Sequence, residues 1–151
     1  MTELMWVRSH VERLLAREWG VCRVETDRDG DFPFRSGTAA GWVSVLEGPP
    51  HLVRVMAHAV YGVRASPALY RELNELNVRA LTASALLIDD IVVVQQTLSP
   101  VGMTAHTLQQ AIASVGWMAD DVGTLLAAMF DGSPPHPVTA GADDARRCYE
   151  D

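Results

Sequence analysis

From residue 3 onward the apolar positions recur at helical spacing. Leu4, Val7, Val11, Leu14 and Leu15 share one face of a helix over residues 3–19, with Thr2 placed as N-cap and Glu3 in the favourable first turn. Trp6 falls almost opposite that stripe. After Gly20 the period drops to two. The stretch "CRVETDRDGDFPFRSG" reads as two strands joined across Asp29-Gly30, a hairpin signal. Pro33 has no N–H to give to a ladder and is expected on an edge or at a bulge. "GWVSVLEG" and "HLVRVMAHAVYGV" predict two more strands, turning at Gly48, Pro49 and Pro50.

Ser66-Pro67 opens the next helix, an N-cap hydroxyl followed by proline at the first helical position, and Leu69, Leu73, Leu76 and Ala80 form its buried stripe. "SALLIDDIVVVQQTL", residues 84–98, predicts a hairpin turning near Asp89-Asp90. A long helix follows from about Thr104, with Leu108, Ile112, Val115, Ala119, Val122, Leu126 and Met129 on one side. Gly116 and Gly123 sit near the edge of that stripe, where small residues allow a close backbone approach. The predicted order is α-β-β-β-β-α-β-β-α, an α+β fold with helices packed on an antiparallel sheet. Residues 1–130 make one domain, and residues 131–151, rich in proline and small polar residues, are expected to form a flexible tail.

The strand predicted over residues 52–63 raises the functional question. Val53, Val55, Ala57, Ala59 and Tyr61 form one apolar side, suited to packing beneath helices. The alternate side, Leu52, Arg54, Met56, His58 and Val60, is too apolar for a water-facing surface and too mixed for a core. Trp42 and Leu46 on the neighbouring strand show the same asymmetry against Val43 and Val45. Surplus apolar surface of this kind marks a partner site, so Trp42, Leu46, Met56 and Val60 are the expected partner-binding residues.

Composition narrows the classes. The chain has 151 residues, 48% hydrophobic and 21% charged, enough for one domain with a sizeable core. The net charge is −7, and all twelve basic residues are arginine, scattered singly except for Arg146 and Arg147. Nucleic-acid affinity needs clustered cations, so a phosphate-backbone partner is not expected. No apolar run is long enough to cross a membrane, and the first helix starts without a basic leader, which together predict a cytoplasmic protein. Two cysteines, Cys22 and Cys148, are too few for a disulfide framework, and Cys22 reads as a small buried hydrophobe.

Catalytic and metal chemistry find no foothold. Asp27, Asp29 and Asp31 alternate as calcium ligands do, but glycine stands fourth and threonine twelfth where an EF-hand loop needs glycine sixth and glutamate twelfth. Asp89-Asp90 and Asp120-Asp121 are adjacent pairs whose carboxylates diverge, and they are assigned to the surface. The histidines, His10, His51, His58, His106 and His136, include no pair at metal-ligand spacing. There is no nucleophile elbow, phosphate loop or dinucleotide fingerprint. Neither an enzyme nor a cofactor is expected. The alternative is a small-molecule sensor or enzyme using a pocket between sheet and helices, which would need converging polar groups.

With "VETDRDGDFPFRSG", "HLVRVMAHAVYGV", "ALYRELNELNVRA" and "SALLIDDIVVVQQTL" in this order, the chain resembles the YbjN family of bacterial proteins over residues 4–130. That family's domain looks like the class I type III secretion chaperones. Leu73-Asn74 with Leu76-Asn77 is its most telling mark here. The resemblance implies a protein-binding or chaperone-like module, a regulator in sensory transduction or stress response, with no catalytic residues to carry over. Asn77, at the flank of the helix stripe, is expected to hydrogen-bond backbone groups of the neighbouring hairpins. Trp6 and Trp117 project from the non-core sides of their helices and are the expected interface of a symmetric homodimer.

Overall fold

The computed structural model describes residues 2–137. Eight elements follow one another: α1 (Glu3–Trp19), β1 (Phe32–Ser36), β2 (Ala39–Leu46), β3 (Leu52–Tyr61), α2 (Pro67–Arg79), β4 (Ser84–Ile88), β5 (Ile91–Leu98) and α3 (Ala105–Phe130). The five strands form one antiparallel sheet in the order β1-β2-β3-β5-β4. The fold is α+β, as its periodicities predict. Each helix starts where its cap dictates: the hydroxyls of Thr2, Ser66 and Thr104 accept from the backbone N–H three residues on.

Five strands form where six are expected. Residues 22–26 have no ladder partner among the described residues, and Cys22 and Arg23 form a bend. The turn after them does close: Asp27 Oδ1 accepts from the backbone of Asp29 and Asp31. The limb before the turn makes no ladder with β1, which carries Pro33, a residue that suits an edge and cannot feed a second ladder. Val24 alone anchors this limb in the core, and Cys22 beside it is exposed rather than buried.

All three helices lie on one face. Val7, Val11 and Leu15 of α1, Leu69 and Leu73 of α2, and Leu108, Val115 and Leu126 of α3 enter one core with Val43, Val55 and Ala57 of the sheet. α3 crosses β3 so closely that a Cβ at Gly123 would collide with the carbonyl of Ala59, and one at Gly116 would meet the Ser36 side chain at 2.8 Å. The Ala59 carbonyl stands at a bulge. His58 pairs with Val93 and Val60 with Val92, leaving Ala59 as an extra residue. That extra residue reverses the alternation, so Val60 enters the core at 0% exposure and Tyr61 emerges on the opposite face. The expectation that Val60 faces away from the helices is thereby corrected.

Asp120 is also not the surface residue expected. From α3 its carboxylate accepts from the backbone N–H of Thr38 at 2.7 Å and from the Thr38 hydroxyl at 2.8 Å, pinning the β1–β2 turn. Gly37 at that turn has φ +56°, and a side chain there would strike the same carboxylate. Beyond α3, Ser133 exchanges backbone hydrogen bonds with Tyr61, and the His136 N–H reaches the Thr38 carbonyl. Residues 132–136 are therefore tied to the end of the sheet where β2 begins and β3 ends, and the domain runs past residue 130. The rest of the expected tail, Cys148 included, lies outside the described residues.

Candidate functional site

The registers sort each strand's side chains onto two faces. On the face away from the helices Trp42 stands opposite Met56, Ser44 opposite Arg54, Leu46 opposite Leu52, and Ala40 opposite His58. Three of the four expected partner-binding residues, Trp42, Leu46 and Met56, are thus on one surface. Val60 is absent from it, and Tyr61 takes the place it would have had.

His58 is the centre of this surface. Its ring meets Trp42 edge-on with 4.7 Å between centroids and Tyr61 at 5.5 Å, and its Nδ1 lies 3.0 Å from the Tyr61 hydroxyl. Across β3, His58 pairs with Val93, which pairs in turn with Leu86 of β4. Flanked by these larger side chains, Val93 is only 2% exposed although no helix lies over it. Burial pushes the His58 imidazole below its usual pKa and the Tyr61 phenol above its own. The imidazole is consequently neutral at pH 7. Among the described residues no carboxylate is hydrogen-bonded to it, and His58 and Tyr61 have no third member of a triad there.

The chemistry available here is contact. Large aromatic and aliphatic side chains lean on one another with no second layer against them among the described residues, a surface that gains by being covered. Among the described residues no cluster of His, Cys, Asp or Glu has the geometry to hold a metal ion. Sequence alternation missed Leu86 and Val93, because both sides of the β4–β5 hairpin are apolar and only the register separates them. It missed Tyr61 because nothing in the sequence announces the bulge.

A second apolar feature lies on the helix side. A groove of about 1010 Å³ opens between the end of α2, α3 and the inner positions of β5, lined by Leu76, Leu81, Gln96, Leu98, Trp117 and Met118. Gln96 Oε1 is buried without a hydrogen-bond partner among the described residues. Trp117 is 71% exposed at the rim, while Trp6 stands on α1, stacked on His10 with 5.1 Å between centroids.

Asn77 works at the sheet's other edge. Its Nδ2 donates to the Ala85 carbonyl at 2.9 Å and its Oδ1 accepts from the Ala85 N–H at 2.7 Å. Ala85 lies on β4, an edge strand, so one side-chain amide takes both backbone groups that a further strand would use. Asn74, one turn earlier, is exposed.

Three solved structures share the fold. The ExsC-ExsE complex contains a chain matching with a TM-score of 0.65 at 14% identity, covering 83% of this chain and 97% of that one. YbjN from E. coli, described as a putative transcription regulator, matches at 0.60 and 17% identity, covering 84% and 95%. The Yersinia pestis type III secretion chaperone SycH, solved in complex with a stable fragment of YscM2, matches at 0.56 and 17% identity, covering 80% and 98%. No curated protein matches the sequence. A family model described as T3SS (YopN, CesT) and YbjN peptide-binding chaperone 1 matches residues 5–137, nearly the whole described span, and the chain belongs to that family.

Proposed function

We propose that the protein is a non-catalytic, chaperone-like module that holds an extended, apolar segment of a client protein on the helix-free face of its sheet. The observation that carries this reading is the row of Trp42, Met56, His58 and Tyr61, large side chains left half-buried with no layer over them among the described residues. The family's description as peptide-binding supports it, as do two structural neighbours solved with a second protein. A regulator in sensory transduction or stress response would act through the same contacts, in the cytoplasm. A symmetric homodimer using Trp6 and Trp117 fits the exposure of both rings, and a monomeric mass in solution would contradict it.

The test uses fluorescently labelled synthetic peptides of about ten residues, long enough to cross the sheet, with leucine and phenylalanine at alternate positions. Anisotropy should report binding to the parent protein and its loss in Met56→Asp, with circular dichroism unchanged. Undiminished binding to a folded Met56→Asp protein would remove this face from the function. The groove favours one other reading. Its unpartnered Gln96 Oε1 in an apolar cleft suits a small ligand with one hydrogen-bond donor, and such a ligand would compete with none of these peptides.

A further inference from the structure

The helix-free face has a charge opposite to that of the molecule. The chain carries 19 acidic and 12 basic residues, yet none of its five strands contains an Asp or Glu. The ladder places two arginines on this face. Arg35 of β1 pairs with Ala40, and Arg54 of β3 pairs with Ser44, so the Trp42–Met56 pair lies between them. Their Cα atoms are separated by about 13 Å along the strands and about 10 Å across them.

Among the described residues neither arginine has a carboxylate of its own. The ion pair found among the described residues is His51 with Glu3, at 3.9 Å. Arg35 donates through Nε to the Gly37 carbonyl at 2.9 Å, a bond that fixes the side chain and leaves its charge uncompensated. Arg54 Nε is shut off from water and has no acceptor among the described residues. A shielded N–H without an acceptor is costly, and a carboxylate oxygen supplies what it lacks. Asp31, just before β1, borders this face through its hydrogen bond to Ser44, and the charges that bear on it are Asp27, Asp29 and Arg8 rather than Arg54. His58, neutral at pH 7, adds no charge.

We infer that the helix-free face selects acidic clients: extended segments with two carboxylates flanking a short run of alternating apolar residues, the carboxylates meeting Arg35 and Arg54 and the apolar side chains covering Trp42 and Met56. This rests on the proposed peptide-binding role and specifies its substrate. On an extended chain, side chains facing one way recur every second residue, so carboxylates about six residues apart span about 20 Å. The two arginine side chains close the remaining difference.

The experiment compares three peptides in which two identical end residues, aspartate, asparagine or lysine, flank leucine and phenylalanine, all at alternate positions with threonine between. Against the full-length protein at low salt, the aspartate peptide should bind on the order of tenfold more tightly than the asparagine one, the effect of two partly exposed charge pairs, with the lysine peptide weakest. The order should flatten as salt is raised. A folded Arg35→Gln, Arg54→Gln protein should bind all three alike. Equal affinities in the parent, with binding still lost in Met56→Asp, would overturn the charge selection and leave the peptide-binding face standing. No binding of any of the peptides, to the full-length protein or to a chain ending at Pro137, would defeat both. Persistence of the aspartate preference in the double variant would overturn the assignment to these arginines. Aspartate-peptide binding that appears only in a chain ending at Pro137 would give the face to the chain's own residues 138–151 and overturn a partner as its occupant.

Discussion

The two faces of this sheet are built from the same strands and are similarly apolar, but they are organised differently. Towards the helices the side chains of β2 and β3 are small or branched, Val43, Val55 and Ala57, and the fit to α3 is so close that Gly123 has no room for a Cβ beside Ala59. Away from the helices they are large, Trp42, Met56, His58 and Tyr61, and they touch one another rather than an opposing layer. A core is recognised by complementarity across the gap and a docking surface by bulk without a complement. Apolarity alone does not distinguish them.

Adjacent residues on β3 give the sharpest break. Val55→Asp should unfold the domain, since an unpaired carboxylate in the core costs several kcal/mol against a total stability of about 5–15 kcal/mol. Met56→Asp, one residue on and facing the other way, should melt within a few degrees of the parent, a shift worth about 1 kcal/mol or less. Thermal denaturation followed by circular dichroism measures both. If Met56→Asp is as damaging as Val55→Asp, both faces are core.

The close helix–sheet fit predicts the next largest effect. Gly123→Val should cost about 1–3 kcal/mol, because the strand carbonyl it meets can move only with the bulge. A urea-melt midpoint equal to the parent's would show that α3 sits farther from β3 than described.

Asn77→Leu keeps the volume but leaves the Ala85 N–H and C=O without their partner, at a cost of about 1–2 kcal/mol because the asparagine itself is accessible to water. Asn74→Leu should change stability by no more than about 0.5 kcal/mol. Equal effects of the two substitutions in chemical denaturation would remove the special status of position 77.

The smallest effect is a pH dependence of the open face. Because burial lowers the pKa of His58 in the folded protein, the unfolded chain takes up a proton first as pH falls below about 6.5. Stability should therefore decline from that pH down to the depressed folded pKa and then level off with respect to this group. Comparing melting temperatures between pH 7 and pH 5 for the parent and His58→Gln checks it. An equally steep decline in His58→Gln would assign the dependence to other groups.

How far these features were legible in the sequence follows from the range of the interactions that set them. Caps and stripes are local, and Thr2, Ser66 and Thr104 mark all three helix starts. The helix-free face was legible through alternation as far as Met56, since nothing before it disturbs the period of two. It failed at Val60 because a bulge stabilised by contact with α3 is a tertiary event. It failed at residues 22–26 because alternation shows that a segment is extended and does not supply it with a neighbour. Asp120 looked like a surface residue for a similar reason. Its partner Thr38 is 82 residues away in sequence, and only the fold brings them together.

The central claim is that the client lies on the helix-free face and not in the groove between α2 and α3, and tryptophan accessibility tests it most directly. The four tryptophans, Trp6, Trp19, Trp42 and Trp117, allow two single-tryptophan proteins, one keeping Trp42 and the other Trp117, with the remainder replaced by phenylalanine. Acrylamide quenching is measured with and without the aspartate-flanked peptide at saturation. The account predicts that the peptide shields Trp42 and leaves Trp117 as accessible as before. Shielding of Trp117 with Trp42 unchanged would place the peptide in the groove and contradict it.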